Sequence, residues 1–279
     1  MKRYSIENRV IAITGATGGL GRAAAKALRE RGAKLVLLDL DRDNLTELAS
    51  SLGDPNVAAG WIANVRSLDS LETALAWGAA HFGGIDVVIA GAGIGSPETL
   101  ESMDPDGFDR VLDINLTGVW RTFRAALPYV KERHGYLLAI SSMAAFVHSP
   151  LNAHYTASKA GVWAMCNSIR LELKTYGVDV GSFHPTFFQT PMMDAVIDHP
   201  CSTLAWNNHQ GMWKFIELEK VIASLVDCIE HRQDLVTVPG SNSLVAKVPG
   251  LLRRLIERIG FDPKKVAEAV RLTNTGKAS

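Results

Sequence analysis

Cysteine is scarce in this 279-residue chain. Cys166, Cys201 and Cys228 are odd in number and far apart, and none forms a CxxC pair. That excludes a disulfide framework and a thiolate zinc site, and it suits a reducing cytoplasm. Net charge is lacking as well, with 29 basic residues against 29 acidic ones. A nucleic-acid binder is normally clearly basic, so no nucleic-acid partner is expected. No apolar run is long enough to cross a bilayer. The N-terminal "MKRYSIENRVIAITGA" meets a glycine turn after a short apolar run, so it reads as neither a signal peptide nor a span. No spacing of His, Cys and carboxylates suits a metal, and none is expected.

What is present is a regular alternation. Short β-rich runs at Arg9–Thr14, Lys34–Asp39, Asn56–Ile62, Ile85–Gly93, Gly135–Ser142, Val178–Pro185 and Leu235–Gly240 are separated by helical stretches. Their near-continuous Val, Ile, Leu and Ala content predicts strands buried on both faces, as in a parallel sheet. The expected fold is a single-domain α/β protein, a Rossmann-like doubly wound parallel β-sheet flanked by helices, with ligands at the carboxyl ends of the strands. Residues 1–240 would form the catalytic domain and 241–279 an amphipathic helical C-terminal extension.

The first strand breaks into "TGATGGLG", Thr14 to Gly21. Glycines there allow a tight turn, close approach of a pyrophosphate and packing of helix on strand, and the helix N-terminus then faces the phosphates. Two spacings fit at once: Gly15, Gly19 and Gly21, or Gly15, Gly18 and Gly21. The second strand ends at Asp39, where a carboxylate accepts bonds from ribose hydroxyls and repels a 2′-phosphate. NAD is therefore favoured over NADP. Arg22 and Arg42 are the residues that stand against this, if either reaches a phosphate. A second glycine cluster, Gly91–Gly95, is expected to keep bulk away from the cofactor.

Tyr155 and Lys159 in "YTASK" lie four apart, on one helical face. Ser142 ends the strand before them. A free phenol has a pKa near 10. A neighbouring ammonium and an oxidised nicotinamide would both favour phenolate and turn the tyrosine into a usable base.

These pieces, with "INLTG" (114–118), "ISS" (140–142) and "PTFFQT" (185–190), resemble the short-chain dehydrogenase/reductase family, in its shorter-chain branch, over roughly the first 240 residues. The resemblance implies a Ser142–Tyr155–Lys159–Asn115 tetrad. Tyr155 would be the acid/base and Ser142, chosen over Ser141 by its spacing, would donate to the reacting oxygen. Lys159 would bind nicotinamide ribose and depress the tyrosine pKa. Asn115, in a predicted helix, would hold a water of the proton relay, and its poor helix propensity makes a local kink there plausible. The implied cofactor cradle comprises Gly15, Thr17, Gly18, Gly19, Leu20, Gly21, Asp39, Asn64, Val65, Ala92, Gly93, Tyr155, Lys159, Pro185 and Thr190. Length, Asn115 and the Ser142-to-Tyr155 interval favour Gly15, Gly19 and Gly21 as the working set. Three departures bear on cofactor affinity: "AGAG" (90–93) replaces Asn-Asn-Ala-Gly, Asn64 replaces an acid, and Pro185–Thr186 replaces Pro-Gly.

Substrate choice falls to residues 186–215, rich in Phe187, Phe188, Met192, Met193, Trp206, Met212 and Trp213. They read as a lid over a hydrophobic substrate, or as satellite core. The expected substrate-side residues are Ser142, His148, Tyr155, Phe187, Phe188, Met192, Trp206 and Trp213. His154, His184 and His209 would be polar wall residues near the mouth. In the tail, Leu251, Leu252, Leu255, Ile256 and Ile259 oppose Arg253, Arg254 and Arg258. Such a helix suits peripheral contact with an anionic membrane, or packing on its own domain or a partner subunit. The resemblance implies NAD(H)-dependent hydride transfer to or from a hydrophobic alcohol or ketone, by a homodimer or homotetramer. The alternatives are a nucleotide-sugar epimerase or dehydratase, for which the chain is short, and a dinucleotide sensor without chemistry.

Overall fold

The computed structural model describes residues 3–190, 193, 197, 200–251 and 253–275. The strands are β1 (Val10–Thr14), β2 (Lys34–Asp39), β3 (Ala58–Ile62), β4 (Val87–Ala90), β5 (Tyr136–Ile140), β6 (Asp179–Pro185) and β7 (Leu235–Val238). They form one parallel sheet in the order β3-β2-β1-β4-β5-β6-β7. Side chains alternate across it: Ile11 and Ile13 join Leu35 and Leu37 in one core, whereas Val10 and Ala12 join Val36 and Leu38 in the other. All seven expected strands are present, most of them somewhat shorter than the apolar runs. Burial on both faces fails at the sheet edges and at Asp179, where β6 begins. Gly60 and Ile62 of β3 are exposed because β3 is an edge.

Helices cover both faces. On one lies α1 (Gly19–Arg29), which buries Gly21, Ala24, Ala25 and Leu28 at helical spacing. After it comes α2 (Arg42–Leu52), where Asp41 caps the helix by accepting from the amides of Asp43 and Asn44, each at 3.0 Å. The other face carries α3 (Leu68–Phe82), α5 (Gly118–Glu132) and α6 (Ala153–Leu173), reached through α4 (Pro105–Leu112). Between α4 and α5 the backbone widens into one π-helical turn, Asp113–Thr117. Beyond β6 come α7 (Pro200–Ala205) and α8 (Leu218–His231), the latter packing beside α1.

The tail forms α9 (Ser243–Lys247), α10 (Arg253–Gly260) and α11 (Pro263–Thr275). It folds back on the segment before α8. Ala269 of α11 is fully buried against Cys201, Ala205, Trp206 and Trp213. The Trp213 indole N–H donates to the Gly260 carbonyl at 2.9 Å, and Thr99 donates to Asn274 at 2.6 Å.

The turn between β1 and α1 is set by contact. Gly15 has a φ of +70°, and a Cβ there would lie 2.8 Å from the Ala92 backbone. A Cβ on Gly21 would overlap the Gly15 carbonyl and lie 2.8 Å from Ala16 Cα, whereas one on Gly18 would meet only the Gly15 oxygen, at 3.4 Å. Gly21→Ala is therefore expected to cost about 3 kcal/mol by overpacking, and Gly18→Ala less than about 1 kcal/mol. Urea denaturation of the two variants checks this, and equal midpoints would contradict it.

Candidate active site

The sheet order reverses direction between β1 and β4, so the loops leaving these strands part and open a crevice at their carboxyl ends. A cavity of about 570 Å³ fills it. Each residue expected in the cofactor cradle lines this cavity: Gly15, Thr17, Gly18, Gly19, Leu20, Gly21, Asp39, Asn64, Val65, Ala92, Gly93, Tyr155, Lys159, Pro185 and Thr190.

At one end α1 begins at Gly18, which has no side chain with which to cap the helix. The first-turn amides of α1 thus have no side-chain acceptor and face a cavity walled by glycines, a fit for an anionic phosphate. Asp39 is held at the end of β2. Its carboxylate accepts from Thr17 N at 2.9 Å, Thr17 Oγ1 at 2.6 Å and Leu40 N at 2.8 Å. A carboxylate has about four acceptor positions, so capacity for a hydroxyl donor remains. Arg22 is committed elsewhere, donating to the Thr17 carbonyl at 2.9 Å and Asn44 Oδ1 at 2.8 Å. Neither it nor the exposed Arg42 lines the cavity. Asn64 Oδ1 accepts from Arg66 N at 3.0 Å and so shapes its own turn. A nicotinamide dinucleotide fits this donor set.

The other half gathers the tetrad. Ser142 and Tyr155 share a hydrogen bond. Ser141, the alternative, donates instead to the Lys159 carbonyl at 3.0 Å, so its hydroxyl is used in the backbone. Lys159 is buried and donates to the Ile140 carbonyl at 2.9 Å, its ammonium 5.5 Å from the Tyr155 ring centre. Asn115 sits in the π-turn and is fully buried. Its Oδ1 accepts from Ile94 N at 2.8 Å, and its Nδ2 donates to the Ile94 carbonyl at 2.8 Å and Ser158 Oγ at 3.2 Å. The helical kink is thus a widened turn, and the side chain it turns inward clamps the loop after β4. The glycines of that loop make room: a Cβ on Gly93 would lie 3.3 Å from Asn115 Oδ1, and one on Gly95 3.0 Å from the Tyr155 ring.

The electrostatics correct one expectation. Burial raises the Tyr155 phenol above its usual range, and the Ser142 hydrogen bond only partly offsets that. Burial lowers Lys159 to about 8. Desolvation thus works against the charged form of each group, yet at pH 7 a Lys159 near 8 is still mostly an ammonium while Tyr155 is a neutral phenol.

On the apolar side Phe187, Phe188, Trp206 and Trp213 line the cavity as expected. Met192 lies outside the described residues, while Met193 lines the wall. Trp206 and Trp213 belong to a satellite core with Ala269 of α11 and also line the cavity. The histidines differ from expectation. His148 is exposed and does not line the cavity, whereas its neighbours Val147 and Ser149 do. His184 is not at the mouth: it is fully buried in β6, with Nδ1 3.1 Å from the Ser142 carbonyl and Nε2 2.9 Å from Ser182 Oγ. His154 is buried, and His209 packs in an aromatic group, 5.0 Å from Phe187 and 4.5 Å from Phe215. Cavity residues absent from the sequence expectation include Arg66, Met143, Val147 and Asn152. Three of them follow the carboxyl end of β5, a position that the strand-end rule marks in any sheet of this kind.

A sequence model described as short chain dehydrogenase matches residues 9–200. The (-)-trans-carveol dehydrogenase of Rhodococcus erythropolis is 36% identical over 204 residues, 67% of this chain and 74% of that one. An NAD-dependent oxidoreductase of Mycobacterium tuberculosis is 31% identical over 206 residues, covering 68% and 75%. The crystal structure of levodione reductase superposes with a TM-score of 0.77 at 26% identity, covering 87% of this chain and 99% of that one.

Burial holds the His184 imidazole well below its usual range, at about 4. A group whose protonated form is disfavoured in the folded state contributes stability that is whole above its unfolded pKa of about 6.5. That stability is lost as pH falls from there towards 4. The expected loss is a few kcal/mol, read as a falling urea midpoint between pH 7 and pH 4. His154, lowered by burial as well, acts in the same direction. His184→Gln should therefore flatten the slope without abolishing it, and an unchanged slope would contradict the assignment.

Proposed function

The chain belongs to the short-chain dehydrogenase/reductase family and is an oxidoreductase of that class, and we propose that it moves hydride between NAD(H) and a hydrophobic alcohol or ketone. One observation carries the reading: an uncapped helix N-terminus and the Ser142–Tyr155 pair share one cavity. Nicotinamide, when bound, supplies or accepts the hydride.

The chain's own groups handle the proton. In reduction the Tyr155 hydroxyl gives its proton to the carbonyl oxygen, and in oxidation the phenolate takes one from the alcohol. Ser142 donates to the same oxygen and holds it beside the phenol. Because burial opposes phenolate, a positive charge must be present before oxidation can start. Lys159 keeps part of that charge within 5.5 Å of the ring. The proton leaves on the side where Lys159 Nζ and Asn115 Oδ1 both face Gly93.

The fixed Asp39 carboxylate and the commitment of Arg22 support NAD over NADP. Met143, Val147, Phe187, Phe188, Trp206 and Trp213 around the same cavity support a hydrophobic substrate. Exposed Trp120 on α5 and Leu171 on α6 support a homo-oligomer built on those helices. Burial pushes the Cys166 and Cys228 thiols up to about 12, which fits no redox role for either.

Tyr155→Phe should lower kcat by about a thousandfold while NADH still binds with nearly unchanged affinity in a fluorescence titration. Retained turnover in that variant would overturn the assignment. Cofactor binding by the wild type without turnover across a panel of hydrophobic secondary alcohols and ketones would favour the sensor.

Asp39→Ser should improve NADP affinity relative to NAD by at least about tenfold, since it removes a like-charge contact. A wild-type enzyme that prefers NADP in the same titration would overturn the cofactor assignment.

A further inference from the structure

Five large apolar side chains in the tail stand in solvent within sixteen residues of one another. Leu244 is 59% exposed, Val248 37%, Leu251 75%, Leu255 54% and Ile259 70%. Elsewhere among the described residues such side chains occur singly or in twos along the chain. Scattered exposure is ordinary, but apolar side chains exposed this densely along one short segment mark an interaction surface.

The charge around this face is one-sided. Residues 247–265 contain Lys247, Arg253, Arg254, Arg258, Lys264 and Lys265 against only Glu257 and Asp262, in a chain that is neutral as a whole. A helix turns about 100° per residue, so Leu255 and Ile259 point the same way and Arg254 and Arg258 flank them on one side. Arg253 and Glu257 lie opposite, paired at 3.7 Å. Among the described residues no carboxylate comes within ion-pair distance of Arg254 or Arg258.

We propose that this face of α9 and α10 docks on an anionic lipid surface. The apolar stripe would sit at the acyl boundary, while the Arg254 and Arg258 stems run along it and carry their charge to the headgroups. At eight residues α10 is far too short to span a bilayer, so it lies in the plane of the surface. A second copy of the chain is the poorer occupant. Two-fold pairing through this stripe would set the unpaired basic flank of one copy near that of the other. The face adjoins the cavity, since α10 ends at Gly260, the hydrogen-bond acceptor of the cavity residue Trp213. The proposal does not depend on the reaction assigned above.

The test is co-sedimentation of the full chain with vesicles of equimolar phosphatidylcholine and phosphatidylglycerol, and with pure phosphatidylcholine. The wild type should pellet with the mixed vesicles, far less with the neutral ones, and less in high salt. Arg254→Ala/Arg258→Ala should weaken binding roughly thirtyfold, at about one basic residue's headgroup attraction each. Leu255→Glu/Ile259→Glu should abolish it. Both variants should keep the wild-type melting temperature and NADH titration, because none of the four residues lines the cavity. Three results would overturn the proposal: wild type that stays in the supernatant, equal binding to neutral vesicles, or a Leu255→Glu/Ile259→Glu variant whose light-scattering mass falls. The last would identify the face as a contact between copies.

Discussion

The site depends on how closely α1 approaches the turn that precedes it. Gly21 sits against the Gly15 carbonyl with no room for a Cβ, and Gly15 takes a left-handed φ beside the Ala92 backbone. Those two contacts aim the helix N-terminus into the crevice and set β1 and its turn against the loop after β4. Ala92, Gly93, Ile94 and Gly95 continue from that contact, and Asn115 clamps the loop at Ile94 through both halves of its amide. The phosphate end and the catalytic end of the cavity are thereby joined by backbone.

Desolvation is the second constraint. The protein packed around Tyr155 and Lys159 pushes phenol and ammonium towards their neutral forms. His184 shows the same bias from behind, since it is buried neutral beneath the Ser142 carbonyl, and an imidazolium there would lack any compensating acid.

Much of the fold was legible in the chain. Continuous Val, Ile and Leu runs marked the strands because a doubly covered sheet buries both faces, and β3 departed because an edge strand has only one neighbour. The glycine turn and the Tyr155–Lys159 interval were legible because both act through local geometry: a turn without Cβ, and side chains one helical turn apart. The choice of Ser142 over Ser141 rested on spacing, and the structure gives its physical reason in the hydrogen bond that Ser141 makes to the Lys159 backbone. The histidines were not legible. His148 and His184 differ only in whether a loop or a strand carries them, and residue type does not say which face of the molecule that is.

By itself the sequence determined the alternation of strands and helices, the glycine turn after β1 and the one-turn interval between Tyr155 and Lys159, all of which follow from local periodicity and local stereochemistry. Only the tertiary structure decided what encloses them. The π-turn that faces Asn115 inward, the folding of α11 onto Trp206 and Trp213, and the protonation bias of Tyr155 and Lys159 all arise from contacts between residues far apart in the chain. Burial is a property of the assembled molecule, so no stretch of sequence carries it alone.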